Sequence, residues 1–460
     1  MIDTTSLRYF LEQKLPPTLD LLRQMVAINS FTGNPEGVNH LARLTAETFA
    51  PFGFSAEFVP STNPLWGNHL VLTRRGRSTR SLALIAHLDT VFPPEEEARN
   101  NFVWQQEGDR IFGPGTHDIK GGTAMMWLVL TALQAQAREL FEDITWKLIW
   151  NSSEECFSPD FSDLCKQNFD KETVAALIFE AEGRAERPQT TDHRPQTTEQ
   201  RTEDGAQRSA VRDQRSMVSG QWSDFRVQGS GFRNQLPRGL VVARKGRATW
   251  RVSVSGRGAH AGGKHPYGAN AVVELGHIVQ RIAALTDYSK NLTVNVASVS
   301  GGTGLNRVPH AAIAEGEFRA FTPEAFETGR RGLLSLAGPG EVRSVADGHA
   351  CQVQVEILTE SSPWPRNAGT DRLFGVWQKT GEDLELPVFA EERGGLSDGN
   401  GIWDAVPTLD GLGPWGDNDH CSERSPDGSK LPEYVEISSF VPKAVLNVMA
   451  IKRLLSGMEG

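Results

Sequence analysis

Apolar residues recur at helical spacing over residues 7–28, at Leu7, Phe10, Leu11, Leu15, Leu19, Leu21, Leu22 and Met25, with Pro16 and Pro17 marking a break. Residues 39–49 repeat that period. Residues 81–86 read SLALIA, an unbroken apolar run of the kind that forms a strand buried on both faces. Residues 122–137 predict a helix rich in Ala, Met and Leu. Two more strands are predicted at 145–150 (TWKLIW) and 174–179 (VAALIF). Strands alternating with helices predict an α/β fold built on a mostly parallel sheet.

The pattern then changes twice. Residues 184–239 are polar, and the pentapeptide RPQTT occurs in them twice, at 187–191 and 194–198. Such a segment cannot bury enough surface to offset its ordering entropy, so it reads as a low-complexity, disordered insertion. Order resumes at Leu240. Strands are predicted at 248–254, 292–298, 312–319 and 351–358, and helices at 269–285 and 323–336, the latter capped by Thr322 with Pro323 in its first turn. That is an α+β unit with its own antiparallel sheet. A helix near 370–380, the loop GGLSDGNG and a closing helix near 440–455 return to the first style. The expected division is one catalytic domain from 1–183 and 356–460, the insertion 184–239, and an inserted α+β domain at 240–355.

Composition narrows the function. The chain has 460 residues, room for two or three domains, and its 38% hydrophobic content excludes wholesale disorder. With 47 Lys and Arg against 57 Asp and Glu, the net charge of −10 repels polyphosphate, so no nucleic-acid partner is expected. The longest apolar run, near residues 125–130, falls far short of the roughly 18–20 residues that span a bilayer, so no membrane partner is expected either. The N-terminus shows no secretory signal. Cys156, Cys165, Cys351 and Cys421 have no disulfide or metal-clip spacing. A cytoplasmic protein with reduced thiols is expected.

Acidic and imidazole side chains recur where strands end. His87 and Asp89 follow the 81–86 strand, Glu154 and Glu155 the 145–150 strand, and Glu180 the 174–179 strand; Asp118 precedes the 122–137 helix. Open α/β sheets bind ligands beyond the carboxyl ends of their strands. A set of imidazoles and carboxylates converging there suits a divalent cation, zinc above all. Taken singly, an HxD is an ordinary turn, a Glu pair is usually solvated, and Asp118 is a competent helix cap. The specificity lies in the order and spacing of the set.

The segments LIAHLDTV, GPGTHDIKGG, NSSEE, LIFEAEG, GRGAHAGG, GGTGLNRVP and GGLSDGNG, with the late His420, resemble the M20 family of di-zinc metallohydrolases. That family includes glutamate carboxypeptidase, acetylornithine deacetylase and succinyl-diaminopimelate desuccinylase. The resemblance covers nearly the whole chain outside 184–239. It implies two divalent metal ions, zinc by default, held by His87, Asp118, Glu155, Glu180 and His420. Asp118 would bridge them and precede a cis peptide bond. Asp89 would hydrogen-bond the other ring nitrogen of His87, and Glu154 would be the general base. The α+β unit resembles the family's dimerisation or lid domain, which implies a homodimer. His260 would reach into the partner's site; a surface histidine in a Gly-rich loop is its competing reading. Asn306 and Arg319 would contact the substrate's terminal carboxylate, with a structural ion pair as the alternative for Arg319. Gly395, Ser397 and Asp398 would line the substrate end of the site.

The reaction implied is hydrolysis of an amide bond in a small peptide or N-acyl amino acid by a metal-bridged hydroxide, releasing a glutamate-like C-terminal residue. An N-acyl amino acid deacylase and a non-catalytic dimeric binding or scaffold protein are the alternatives. His40, His69 and His277 read as structural. His117 adjoins Asp118, where the family more often has a small or hydroxyl residue, and His265 and His310 carry no assignment. Two segments depart from the family: Cys156-Phe157-Ser158-Pro159 follows the Glu pair in place of small residues, and the stretch after His420 is expanded.

Overall fold

Leu82, Leu84 and Ala86 bury into one apolar cluster and Ala83 and Ile85 into another, because successive side chains of strand Ser81–His87 alternate between its two faces. The strand therefore sits between two layers of packing. The computed structural model describes residues 3–184 and 238–457. Its larger sheet has six strands in the order Ser55–Pro60, Asn68–Arg74, Thr145–Asn151, Ser81–His87, Thr173–Ile178 and Thr408–Leu409. The last four pair in parallel and the first two add antiparallel. Helices Thr4–Val26, Lys120–Gln136, Ala368–Asp383 and Phe440–Leu455 contribute to the larger cluster on one face, while helix Pro159–Asn168 supplies Phe161 and Cys165 to the other. Each fully buried Leu or Ile there is worth roughly 1.5–3 kcal/mol over exposure.

A second body carries a five-stranded antiparallel sheet, ordered Thr293–Gly301, Ala311–Ala320, Gly246–Ser255, Ala350–Ser361 and Gly338–Arg343. Ala248, Trp250, Val252 and Val254 alternate inward along its central strand and pack with helices Ala271–Ala283 and Pro323–Leu334. Thr322 accepts the Ala325 amide as the cap of the second helix. Strand Arg238–Arg244 buries Leu240 and Val242 in the first body's core and pairs in parallel with Val388–Arg393. We therefore propose that the chain crosses between bodies at Lys245 and again just after Ser361, later than the 240 and 355 read from the pattern.

Two local expectations are corrected. Pro16 and Pro17 do not break the first helix, which runs unbroken from Thr4 to Val26. The carbonyls they leave without an amide partner belong to Glu12 and Gln13, both exposed to solvent. Leu7 and Leu11 on one side, and Leu21, Leu22 and Met25 on the other, bury into one core and hold the helix together. The composition places the polar insertion from 184 to 239, but Gly183–Arg184 pairs antiparallel with Arg238–Gly239. Arg238 is buried there against Glu182, with Nη1 2.9 and 3.0 Å from the two carboxylate oxygens. The rest of the insertion, 185–237, lies outside the described residues. Among the described residues no helix is long and apolar enough to cross a membrane.

Candidate metal centre and active site

Strand Ser81–His87 lies between strands Thr145–Asn151 and Thr173–Ile178, with His87 opposite Asn151 and Ile85 opposite Ile178. That register brings Glu154, Glu155 and Glu180 to the same sheet edge as His87. The buried His87 ring points one nitrogen each way. Nδ1 is 3.0 Å from the Asp89 carbonyl, which can only accept, so Nδ1 carries the proton. Nε2 faces carboxylates, 3.0 Å from Asp118 Oδ1 and 3.6 Å from Glu180 Oε1. The nearer Asp89 atom is thus its carbonyl; its carboxylate Oδ1 is 3.4 Å from Nδ1.

Asp118 belongs to both halves of the centre. Its Oδ2 lies 3.3 Å from His420 Nε2, which lies 3.3 Å from Glu155 Oε2. The donor atoms of His87, Asp118 and Glu180 lie within 4.8 Å of one another, and so do those of Asp118, Glu155 and His420. The Asp118–Ile119 peptide bond is cis. His420 reaches the cluster from a tight loop in which both Asn418 and His420 are left-handed, at φ 66° and 63°. Asn and His are among the non-glycine residues that adopt that conformation most readily. The structure thereby gathers all five residues read as ligands. Glu154 is in neither triad.

The electrostatics of this cluster call for positive charge. Burial pushes Glu154 and Glu180 well above the usual carboxylate range. Burial, then the neighbouring Asp118, pushes Glu155 up to about 7. Hydrogen bonds to Asp118 and Glu155 push His420 up to about 11. Burial works against charge on His87, yet Asp118 and Asp89 raise it well above its ordinary value. Burial likewise opposes ionisation of Asp118, but His420 and His87 hold its carboxyl far below the usual range. Without cations the cluster must recruit protons. Divalent ions would satisfy the same carboxylates while leaving the imidazoles neutral, and the nitrogen and oxygen donor set suits zinc.

Several contacts that hold this centre go beyond the roles read from the sequence. The Asp89 carboxylate accepts the amides of Glu154 at 3.0 Å and Glu155 at 3.2 Å, and the Thr32 hydroxyl at 2.6 Å. It anchors the whole Glu–Glu turn. The Ser152 amide donates 3.1 Å to His69 Nδ1, and His69 Nε2 lies 3.3 Å from Asp160 Oδ2. Ser152 and His69 are buried, Asp160 is half-buried, and the chain pins the start of the turn. Glu433 Oε1 accepts the amides of His117 at 2.9 Å and Asp118 at 3.1 Å. Arg244 pairs with the buried Asp410 at 2.7 Å and donates 2.8 Å to the Leu396 carbonyl and 3.3 Å to that of Gly395. These partners are tens to hundreds of residues apart, and no local spacing marks them.

Ser397 is buried and caps the turn Asp398–Gly401, its hydroxyl donating 3.0 Å to Asp410. It and Gly395 therefore shape the loop through Arg244 and Asp410. Arg319 is held by Glu317 at 2.8 Å, the ion pair named as its alternative, and also donates 2.8 Å to the Gly394 carbonyl. It joins the second body to the loop. His260 and Asn306 lie on facing segments of the second body, where the Ala261 amide donates 2.9 Å to the Asn306 carbonyl and both residues are exposed. A cavity of about 480 Å³ opens beside Glu154, between the two bodies, lined among others by Asn151, Phe157, Phe326, Ser361 and Asp398.

Comparisons with known proteins match this picture. Residues 242–333 match the peptidase dimerisation domain of the M20 family. Carboxypeptidase G2 from Pseudomonas sp. (strain RS-16) is 23% identical over 450 residues, covering 96% of this chain and 90% of the relative. A tripeptidase from Staphylococcus aureus shares the fold with a TM-score of 0.67 at 20% identity, over 97% of this chain and 99% of the other. So does a Bacillus subtilis protein solved as a dinuclear metal-binding peptidase from the M20 family, with a TM-score of 0.59 at 14% identity, over 97% and 99% of the two chains. The chain thus carries a segment matching the M20 peptidase dimerisation domain and shares the fold of M20 metallopeptidases along nearly its whole length.

Proposed function

We propose that the chain hydrolyses an amide bond of a small peptide or N-acyl amino acid at a two-cation centre, releasing a C-terminal, glutamate-like amino acid. The observation that carries this reading is the sharing of Asp118 by two ligand triads, with the half-buried Glu154 left outside both. His87 and Glu180 would hold one cation, Glu155 and His420 the other, and Asp118 both. A cation pair supplies Lewis-acid polarisation of a carbonyl and acidification of water.

The protein's own groups do the rest. Glu154 takes a proton from the attacking water and returns it to the leaving amine, and a carboxylate whose proton affinity burial has raised is suited to both steps. Asp89 holds the Glu154 amide and so fixes where that carboxylate stands. His260 Nδ1 accepts the amides of Gly262 at 3.2 Å and Gly263 at 3.0 Å, so its remaining proton sits on Nε2. An exposed Nε2–H is the donor that an oxyanion in a partner's site requires, which supports a homodimer working in trans. Arg319 keeps N–H groups beyond those spent on Glu317 and Gly394, and a guanidinium fork suits the substrate carboxylate. Zinc is the proposed metal and the cytoplasm the proposed location.

The test is a panel of peptidyl and N-acyl substrates assayed before and after chelation, with metal quantified. Metal-dependent release of a C-terminal amino acid is expected. A metal-replete protein inert on the whole panel would favour a binding role instead.

A further inference from the structure

His117 is an unusual neighbour for Asp118, and the structure gives it a partner. Its Nδ1 hydrogen-bonds the Asp419 carboxylate, and Asp419 immediately precedes His420. The His117 ring is buried, and an added methyl on Gly416 would come within 2.8 Å of its Cδ2, so the ring packs directly on the start of the His420 loop. A second tie runs alongside. Glu433 accepts the amides of His117 and Asp118 through its carboxylate, while its own amide donates 2.8 Å to the Cys421 carbonyl. The two ligand-bearing loops, 117–118 and 418–421, are therefore fastened on both sides of the contact between Asp118 and His420.

The two halves of the metal centre are built differently. His87 ends one buried parallel strand of the central sheet and Glu180 follows another. His420 stands on a loop, in a left-handed conformation, with its side chain 54% exposed. The Cys421 amide closes its turn by donating 3.1 Å to the Asn418 carbonyl, so its approach to the cluster depends on where that loop is held. We infer that the His117–Asp419 pair is a positioning device for the second half-site of Asp118, Glu155 and His420. It sets the distance between Asp118 and His420 and leaves the half-site of His87 and Glu180 to the sheet. This rests on the two-cation reading.

The inference predicts selective damage. Partners that orient metal ligands are typically worth 10–100-fold in affinity. Zinc binding to the full-length protein, stripped and then titrated by competition with a chromophoric chelator, separates the possibilities. Wild-type protein should bind two ions. Asp419→Ala should weaken one of them roughly 10–100-fold and leave the other unchanged. Asp419→Asn keeps an oxygen acceptor for the ring nitrogen and should recover most of that loss. Asp419 is half-exposed, so these variants avoid a buried deletion; circular dichroism checks that they fold. His117→Ala should match Asp419→Ala, and the double variant should add little to either, as coupled partners require. Equal weakening of both ions, additive losses, or Asp419→Ala indistinguishable from wild type would overturn the inference while sparing the two-cation reading. A wild-type protein that binds fewer than two ions would overturn both.

Discussion

Asp89 Oδ1 accepts the backbone amide of Glu154 at 3.0 Å, so the first acidic residue after one strand fixes the turn that follows the next. Its other oxygen takes the Glu155 amide and the Thr32 hydroxyl. One buried carboxylate thus orients the proposed base and a proposed metal ligand together, and three donors depend on its being an acceptor on both sides.

Asp89→Asn replaces one acceptor with an N–H₂ that must face a donor. We expect a loss of roughly 10–100-fold in turnover and weaker metal retention, as for other groups that orient metal ligands. An unsatisfied buried donor also costs about 1–3 kcal/mol of stability. Steady-state kinetics and thermal denaturation check both; a variant normal in both would show that the turn holds itself.

Glu154 stands outside both ligand triads, so removing its charge should spare the metals. Glu154→Gln is expected to keep two ions per chain and lose hydrolysis by roughly a hundredfold or more, the usual worth of a general base. Metal analysis with single-turnover kinetics decides it. Loss of an ion from this variant would make Glu154 a ligand.

The protons that the cation-free centre holds must leave when metal enters. His420 is pushed up to about 11 and Glu155 up to about 7, so at pH 7 His420 carries a proton and Glu155 carries one about half the time in that state. Cations bind the deprotonated forms, so loading should release protons and apparent affinity should rise with pH above neutrality. Calorimetry in buffers of different ionisation enthalpy counts the protons. Affinity that is flat or falls with rising pH would contradict the sign.

His260→Ala should lower turnover without changing the molecular weight in solution. Mixed with Glu154→Gln, it should regain activity, because a hybrid dimer then holds one site with an intact base and an intact partner histidine. Absence of rescue after confirmed subunit exchange would confine His260 to its own chain.

Much of the fold was written in local pattern. The unbroken run SLALIA became a strand buried on both faces, and the alternation over 248–254 became the central strand of the antiparallel sheet. The pattern missed longer elements, among them strands Ser55–Pro60 and Val388–Arg393 and helix Pro159–Asn168, which lack a clean alternation or helical period. Strands Gln105–Glu107, Arg110–Phe112, Gly416–Asp417 and Tyr434–Glu436 form a small sheet, but two or three residues carry no readable period. The prolines at 16 and 17 argued for a break that core contacts on both sides overrode. At the site, the proposed ligands at strand ends could be read because the register of parallel strands brings those ends together. Glu433, Asp419 and Asp410 were not, since each works only through partners far along the chain, and nothing in sequence marks a carboxylate as paired.

The central claim is that Asp118 joins two cations. An anomalous difference map from crystals of the metal-loaded protein, collected at the zinc edge, tests it most directly. The account predicts two peaks about 3.5–4 Å apart on either side of the Asp118 carboxylate, one beside His87 and Glu180 and the other beside Glu155 and His420. A single peak, or peaks away from Asp118, would contradict it.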